Sequence, residues 1–476
     1  MTTTTERMTL TTLATIIMIV MVSFTAHSDE PLQADSLPQT WSYTPDTYQE
    51  IPGGPEDKWW SRFSDPLLDS LIVLGVERNY DLRIAHRRQE IARAAMNQTR
   101  AGWFPTIGLS AGWTAAKESG ATTRGASTSI PTESYFNAGL SATWEIDIFG
   151  KVAAGVKEKK AQYNATRAEY AGSMVSLTAQ IASTYFTLRC QQRLLQVARA
   201  HCESQMKIVN IARARFEATL ASKLDVAEAW QTYYSTAASI PMLENSIQAS
   251  INSLGILIGE FPSEAARLLS EPGPLPNWKT EISAGVPADL LRRRPDIVEA
   301  EMELAVAAAG VGIAKKDFLP TLTIEGNVGT SSRRLGDLFS RHSFTWSVAP
   351  TLSWTLFDGF ARKYQLVSAR EQMQSAIDSY NLTILNAVGE TENALSSYDA
   401  SLRHIQLVEQ LCVQNEEALE LAIKRYKDSL SPMTDVVNAQ LNALAGESEL
   451  VQAQESALTS LVSLYEALGG GVTLDE

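Results

Sequence analysis

The stretch LRIAHRRQEIARAAMNQTRAGWFPTIGLS, residues 82–110, returns as IVEAEMELAVAAAGVGIAKKDFLPTLTIE, residues 297–325, with Ala85/Ala300, Pro105/Pro320 and Thr106/Thr321 each separated by 215 positions. A second pair lies downstream. RFEATLASKLDVAEA (215–229) recurs as RYKDSLSPMTDVVNA (425–439), and Cys202/Cys412, Asp225/Asp435 and Gly259/Gly469 keep a separation of 210. Trp144 and Trp354 already hold the shorter separation, so the five lost residues lie in the hairpin. Such self-similarity marks a duplicated architecture. Each copy reads as helix, β-hairpin, one very long helix and a returning helix, with repeat one over about residues 67–259 and repeat two over about 282–469.

The hairpins carry a period of two. From His342 onward, Phe344, Trp346, Val348, Pro350, Leu352, Trp354 and Leu356 share one face, and Ser343, Thr345, Ser347, Ala349, Thr351, Ser353 and Thr355 the other. The same alternation sets Leu322, Ile324 and Val328 against Thr321, Thr323, Glu325 and Asn327, and in the first copy Ile107, Leu109 and Trp113 against Thr106, Ser110 and Gly112. Phe136, Leu140, Trp144 and Ile146 oppose Tyr135, Asn137, Ser141 and Glu145. Strands are therefore expected over about 104–117, 134–148, 319–331 and 342–357. An apolar face with aromatics near its ends, backed by a small and polar face, suits strands with lipid outside and water inside. A soluble sandwich would need about seven short strands with frequent turns. Four strands cannot close a membrane barrel, which needs about eight, and an open edge is not tolerated in hydrocarbon. The barrel must be shared between copies of the chain.

No proline interrupts residues 151–216 or 361–427, so each run predicts a helix roughly 100 Å long. Stripe positions repeat in sevens, from Met174 through Ile181, Leu188, Leu195, Cys202 and Val209 to Phe216, and from Ile377 through Ile384, Thr391, Tyr398, Ile405, Cys412 and Leu419 to Tyr426. That period underwinds a helix and favours left-handed supercoiling. Helices are expected over about 150–217, 223–258, 360–428 and 432–468. Short turns reverse the chain at Leu220–Lys223 and Leu430–Pro432, where Ser431 and Pro432 read as N-cap and first helical residue. Arg213, Arg215, Lys424, Arg425 and Lys427 suit the negative helix ends. A kink or break is expected at Pro241, and the stretch Glu271–Pro276 should belt the rod's middle.

The 476 residues carry a net charge of −14, which argues against nucleic acid as a partner. Residues 1–28 read as a signal peptide: Leu13–Phe24 is an apolar run of export-signal length, followed by the small-x-small triplet Ala26-His27-Ser28. After it no apolar run is long enough for a transmembrane helix. Cys190 and Cys202 lie about 18 Å apart along one helix and cannot pair. Cys202 and Cys412 fall on the apolar stripe, so buried thiols are expected rather than a disulfide. The five histidines show no metal-ligand spacing, and no P-loop, nucleophile elbow or zincin motif occurs, so neither enzyme activity nor a cofactor is expected.

LLRRRPDIVEAEMELAVAAAGVGIAKKDFLPTLTI (290–324), WWSRFSDPLLDSL (59–71), WEIDIFG (144–150) and RYKDSLSPMTDVVNAQ (425–440) closely resemble the TolC-like outer-membrane efflux proteins, above all those serving resistance-nodulation-division pumps. The resemblance implies an α+β membrane protein: a homotrimer with a 12-stranded β-barrel, four strands per chain, continued by a long periplasmic α-helical barrel. It implies a passive exit duct for drugs or other small toxic compounds, opened at its periplasmic tip by a periplasmic adaptor (membrane fusion protein) and an inner-membrane pump. In the family, carboxylates near the turns ring the closed end of the tunnel. Asp435 falls on the matching position, the next family acid is Asn438 here, and Asp225 and Tyr426 match residues that link neighbouring helices. An Asp in a first helical turn is also favourable for dipole reasons alone. Many members carry a lipidated cysteine at the mature N-terminus; no cysteine precedes Cys190, so a lipid anchor is not expected. Two alternatives stay open: the outer-membrane conduit of a type I protein secretion system, which differs only in its partners, and a periplasmic coiled-coil adaptor, which would lack amphipathic strands.

Overall fold

In the computed structural model the described residues are 38, 40–43, 48–49, 58–117, 132–276, 282–283 and 293–470; the signal-peptide segment lies outside them. The order is β1 (Tyr48–Gln49), α1 (Pro66–Arg78), α2 (Tyr80–Arg100), β2 (Thr106–Ala116), β3 (Glu133–Ile146), α3 (Lys151–Glu217), α4 (Lys223–Leu257), α5 (Pro262–Leu269), β4 (Ile282–Ser283), α6 (Pro295–Lys316), β5 (Thr321–Ser332), β6 (Phe344–Ser353), α7 (Ala361–Lys427) and α8 (Met433–Ala467). β2, β3, β5 and β6 form one antiparallel sheet in that order, with β2 and β6 at its free edges. Ile107, Leu109, Trp113, Phe344, Trp346, Val348 and Leu352 are all exposed on it. A patch of that size has no place in water.

Local chemistry sets the strand ends. β3 stops at Ile146 because Asp147 turns to cap α3, its carboxylate accepting the N–H groups of Val152 (3.0 Å) and Ala153 (2.9 Å). β6 is shorter than the alternation over 342–357 implies. It begins after a 3-10 turn at Arg341–Ser343 and ends at Ser353, paired with Thr321, the first residue of β5 after Pro320. Trp354 and Leu356 continue the apolar face without a ladder partner.

The two long helices are each 67 residues. α3 is flanked by α1, α2, α4, α6 and α8, and buries residues from Val156 to Ala212. α7 is flanked by α6 and α8 and buries Ile377, Tyr380, Ile384, Ala387, Thr391, Leu395 and Tyr398, then only Val408 and Tyr426. A core at mid-rod joins Trp59, Phe63, Ile181, Phe186, Ile384, Tyr398, Leu461 and Tyr465. Arg189 holds the belt there, its guanidinium donating to the Glu271 carbonyl at 2.9 Å and lying against Gly273. Pro295 opens α6 with Asp296 in its first turn, and buried Arg294 ties that start to Asp296, Glu390 and the Ala467 carbonyl at the end of α8.

Three expectations need correction. Pro241 does not break its helix: α4 runs through it from Lys223 to Leu257, the exposed face letting the lost bond be solvated. Pro432 is the N-cap of α8, one position earlier than its expected role, and Ser431 is not the cap. Cys202 is buried but Cys412 only half-buried, because α7 is covered on fewer sides; all three cysteines are free.

Candidate functional site at the rod tip

Both reversals end a long helix in the same way. Thr219 (φ 61°) and Ser429 (φ 59°) adopt left-handed conformations. The next N–H groups, of Leu220 and Leu430, return at 2.8 Å to the carbonyls of Arg215 and Arg425. This satisfies carbonyls that the helix end would leave open.

The helices that follow start differently. Ser222 and Asp225 form a capping box: the Asp225 N–H donates to Ser222 Oγ at 3.2 Å, and the Ser222 N–H to Asp225 Oδ2 at 3.2 Å. In the second reversal Pro432 stands at the N-cap with no side chain to accept a bond. The Asp435 N–H bonds the Pro432 carbonyl at 3.3 Å, and the Asp435 carboxylate makes no hydrogen bond or ion pair among the described residues. Asp435 and Asn438 are both exposed. The second reversal is instead gripped from α3. Arg215 donates to the Lys427 carbonyl at 2.7 Å and to Ser429 Oγ at 2.8 Å, and its guanidinium lies 4.8 Å from the centre of the Tyr426 ring.

Tyr426 is 4% exposed, packed with Val209, Ala212, Ala229, Met433 and Val436. Burial raises its phenol above the ordinary value, the negative charge of Asp225 adds to this, and Arg215 opposes both. Tyr426, Asp225 and Arg215 thus form one electrostatic group, and Asp435 and Asn438 stand apart from it. The sequence reading missed Arg215, whose charge there suited the helix dipole alone; its carbonyl partner lies 212 positions away. No group suited to a metal ion occurs among the described residues.

A long paired-helix rod, a four-stranded sheet with an exposed apolar face, and two short reversals at the far end describe a channel segment. Residues 71–260 and 286–470 match the family model described as outer membrane efflux protein. The chain belongs to that family. It is similar to the probable efflux pump outer membrane protein TtgC of Pseudomonas putida, 28% identical over 92% of this chain and 90% of the relative. It is also similar to the pyoverdine export outer membrane protein OpmQ of Pseudomonas aeruginosa, at 28% over 87% of both. Among solved structures, the outer-membrane channel OprN superimposes with a TM-score of 0.85 at 27% identity, covering 94% of this chain and 99% of that one. The open state of the Neisseria gonorrhoeae MtrE channel gives 0.79 at 26%, covering 94% and 98%. This family member is an outer-membrane channel protein of efflux, and the sheet is its membrane part.

Proposed function

We propose that three copies of this chain close a twelve-stranded barrel and a helical tunnel, forming a passive exit duct for drugs or other small toxic compounds. The carrying observation is the sheet itself: β2 and β6 are free edges beside an apolar face. In hydrocarbon each unpaired backbone group costs several kcal/mol, so the edges must pair with neighbouring copies. α7 supports the same reading, since Leu407 is 66% exposed while Val197, its counterpart on α3 at a separation of 210, is 4% exposed. A second copy would cover the first.

The tip acts as the gate, with Asp435 as a carboxylate ring, Asn438 as an uncharged ring behind it, and Tyr426 and Asp225 in the joint held by Arg215. A periplasmic adaptor and an inner-membrane pump open it and supply the energy; the chain itself does no chemistry. Affinity purification of the protein from crosslinked membranes tests the partners. Recovery of an adaptor and a proton-driven pump is expected, and recovery of a protein-secretion ATPase instead would overturn the small-molecule reading.

A further inference from the structure

The duplication gives a contact made inside the chain at the foot of the barrel an equivalent set of positions at the sheet's two edges, and the residues there are of the opposite kind. Two bonds establish the correspondence. The Trp144 indole donates to the Trp103 carbonyl at 3.1 Å, and the Trp354 indole to the Phe318 carbonyl at 3.0 Å; the donors differ by 210 and the acceptors by 215. Where β3 meets β5 inside the chain, Gly150 is the N-cap of α3 with φ 71°, and its carbonyl accepts from Lys316 Nζ at 2.6 Å. Lys151 pairs with Asp317 at 2.7 Å. A Cβ on Gly150 would sit 3.1 Å from that Lys316 nitrogen.

The same separations turn Gly150 and Lys151 into Phe360 and Ala361, and Lys316 and Asp317 into Ala101 and Gly102. Phe360 is the N-cap of α7 with φ 70°, a left-handed conformation that a residue with a Cβ adopts at a steric cost. It is 54% exposed, and Ala101 and Gly102 are exposed as well. Asp317 faces both long helices, bonding Lys151 of α3 and Gln365 of α7. A Cβ on Gly102 would meet only Val152 of α3, and among the described residues the other flank of α2 is bare.

We propose that Phe360 of one copy packs over Ala101 and Gly102 of the next, a large-into-small joint replacing the Lys316–Gly150 and Lys151–Asp317 stitches found within the chain. The occupant of this bare flank is a second copy of the chain. Small residues at 101 and 102 leave room for the ring that a lysine and an aspartate would deny. The strained conformation of Phe360 is retained because its ring closes the seam between copies. This inference rests on the trimer reading and adds the residues that set its register at the membrane boundary.

The test is the double variant Ala101→Cys/Phe360→Cys, oxidised in outer membranes and run without reductant. Within one chain these positions flank opposite edges of the sheet, about 14 Å apart across three strand spacings, beyond the roughly 7 Å reach of a disulfide. A covalent ladder up to a trimer, absent from each single-cysteine variant, is the expected result. No ladder from protein that still migrates as a trimer when unheated overturns this joint alone; monomers throughout overturn the trimer reading as well. Phe360→Gly separates packing from backbone strain. It should dissociate at a lower temperature than wild type despite its easier backbone, and unchanged or improved heat resistance of the assembly would contradict the proposal.

Discussion

The two reversals at the rod tip share their backbone geometry and differ in what holds them. The first closes on itself through Ser222 and Asp225, while the second has a proline where the cap should be and depends on Arg215 from the other repeat. A self-capped turn can move as a unit, whereas a turn gripped from outside is released when the grip is. The comparison also divides the two aspartates. Asp225 is committed to its cap, and Asp435, at the same position of the repeat, is free to act through its charge.

Removing the grip should have the largest effect. Arg215→Ala loses two hydrogen bonds to a charged donor and a ring contact, roughly 2–4 kcal/mol at the second turn. Bilayer recordings should show a more frequently open or larger channel; wild-type currents would mean the grip does not hold the tip. Ser222→Ala should cost about 1 kcal/mol by loss of the cap, read as faster hydrogen exchange in the first turn of α4. Ser431→Ala is the matched control. The Ser431 hydroxyl is buried without a hydrogen-bond partner among the described residues, so its loss should change exchange in α8 little. Equal effects at both serines would break the comparison.

Asp435→Ala should reduce cation preference in low salt, and Asp225→Asn should change it less while loosening α4. A larger selectivity change from Asp225 would reverse the division of roles. The smallest effect is alkaline. Because burial raises the Tyr426 phenol, the folded tip holds that proton more tightly than the unfolded chain. Its stabilisation is fully present below the ordinary value of 10 and fades as pH rises through the raised one. The first repeat has Phe216 at this place, so Tyr426→Phe should remove the alkaline loosening; an unchanged pH response in the variant would place its source elsewhere.

How much of this was legible follows from the distance over which each feature is encoded. The long helices and the strand alternation are written locally, in proline-free heptads and period-two runs. The capping box at Ser222 is equally local, yet only the turn at Leu220–Lys223 was expected there. Pro432 was misplaced by one position because a proline suits both N-cap and first-turn positions, and only the backbone distinguishes them. The end of β6 was hidden because the apolar face outlasts the ladder: Trp354 keeps the alternation beyond the last pair, Ser353 with Thr321. The grip of Arg215 was not legible beyond a charge suited to the helix end, since it joins residues of different repeats. Asp435 and Asn438 came from the family likeness, and the geometry adds why the former's charge is uncommitted.

The central claim is that one chain is a third of a closed duct. Native mass spectrometry of the detergent-extracted, outer-membrane protein measures this most directly. The account predicts a single assembly of three copies that survives mild activation. A stable single copy, folded and soluble without detergent, would contradict it.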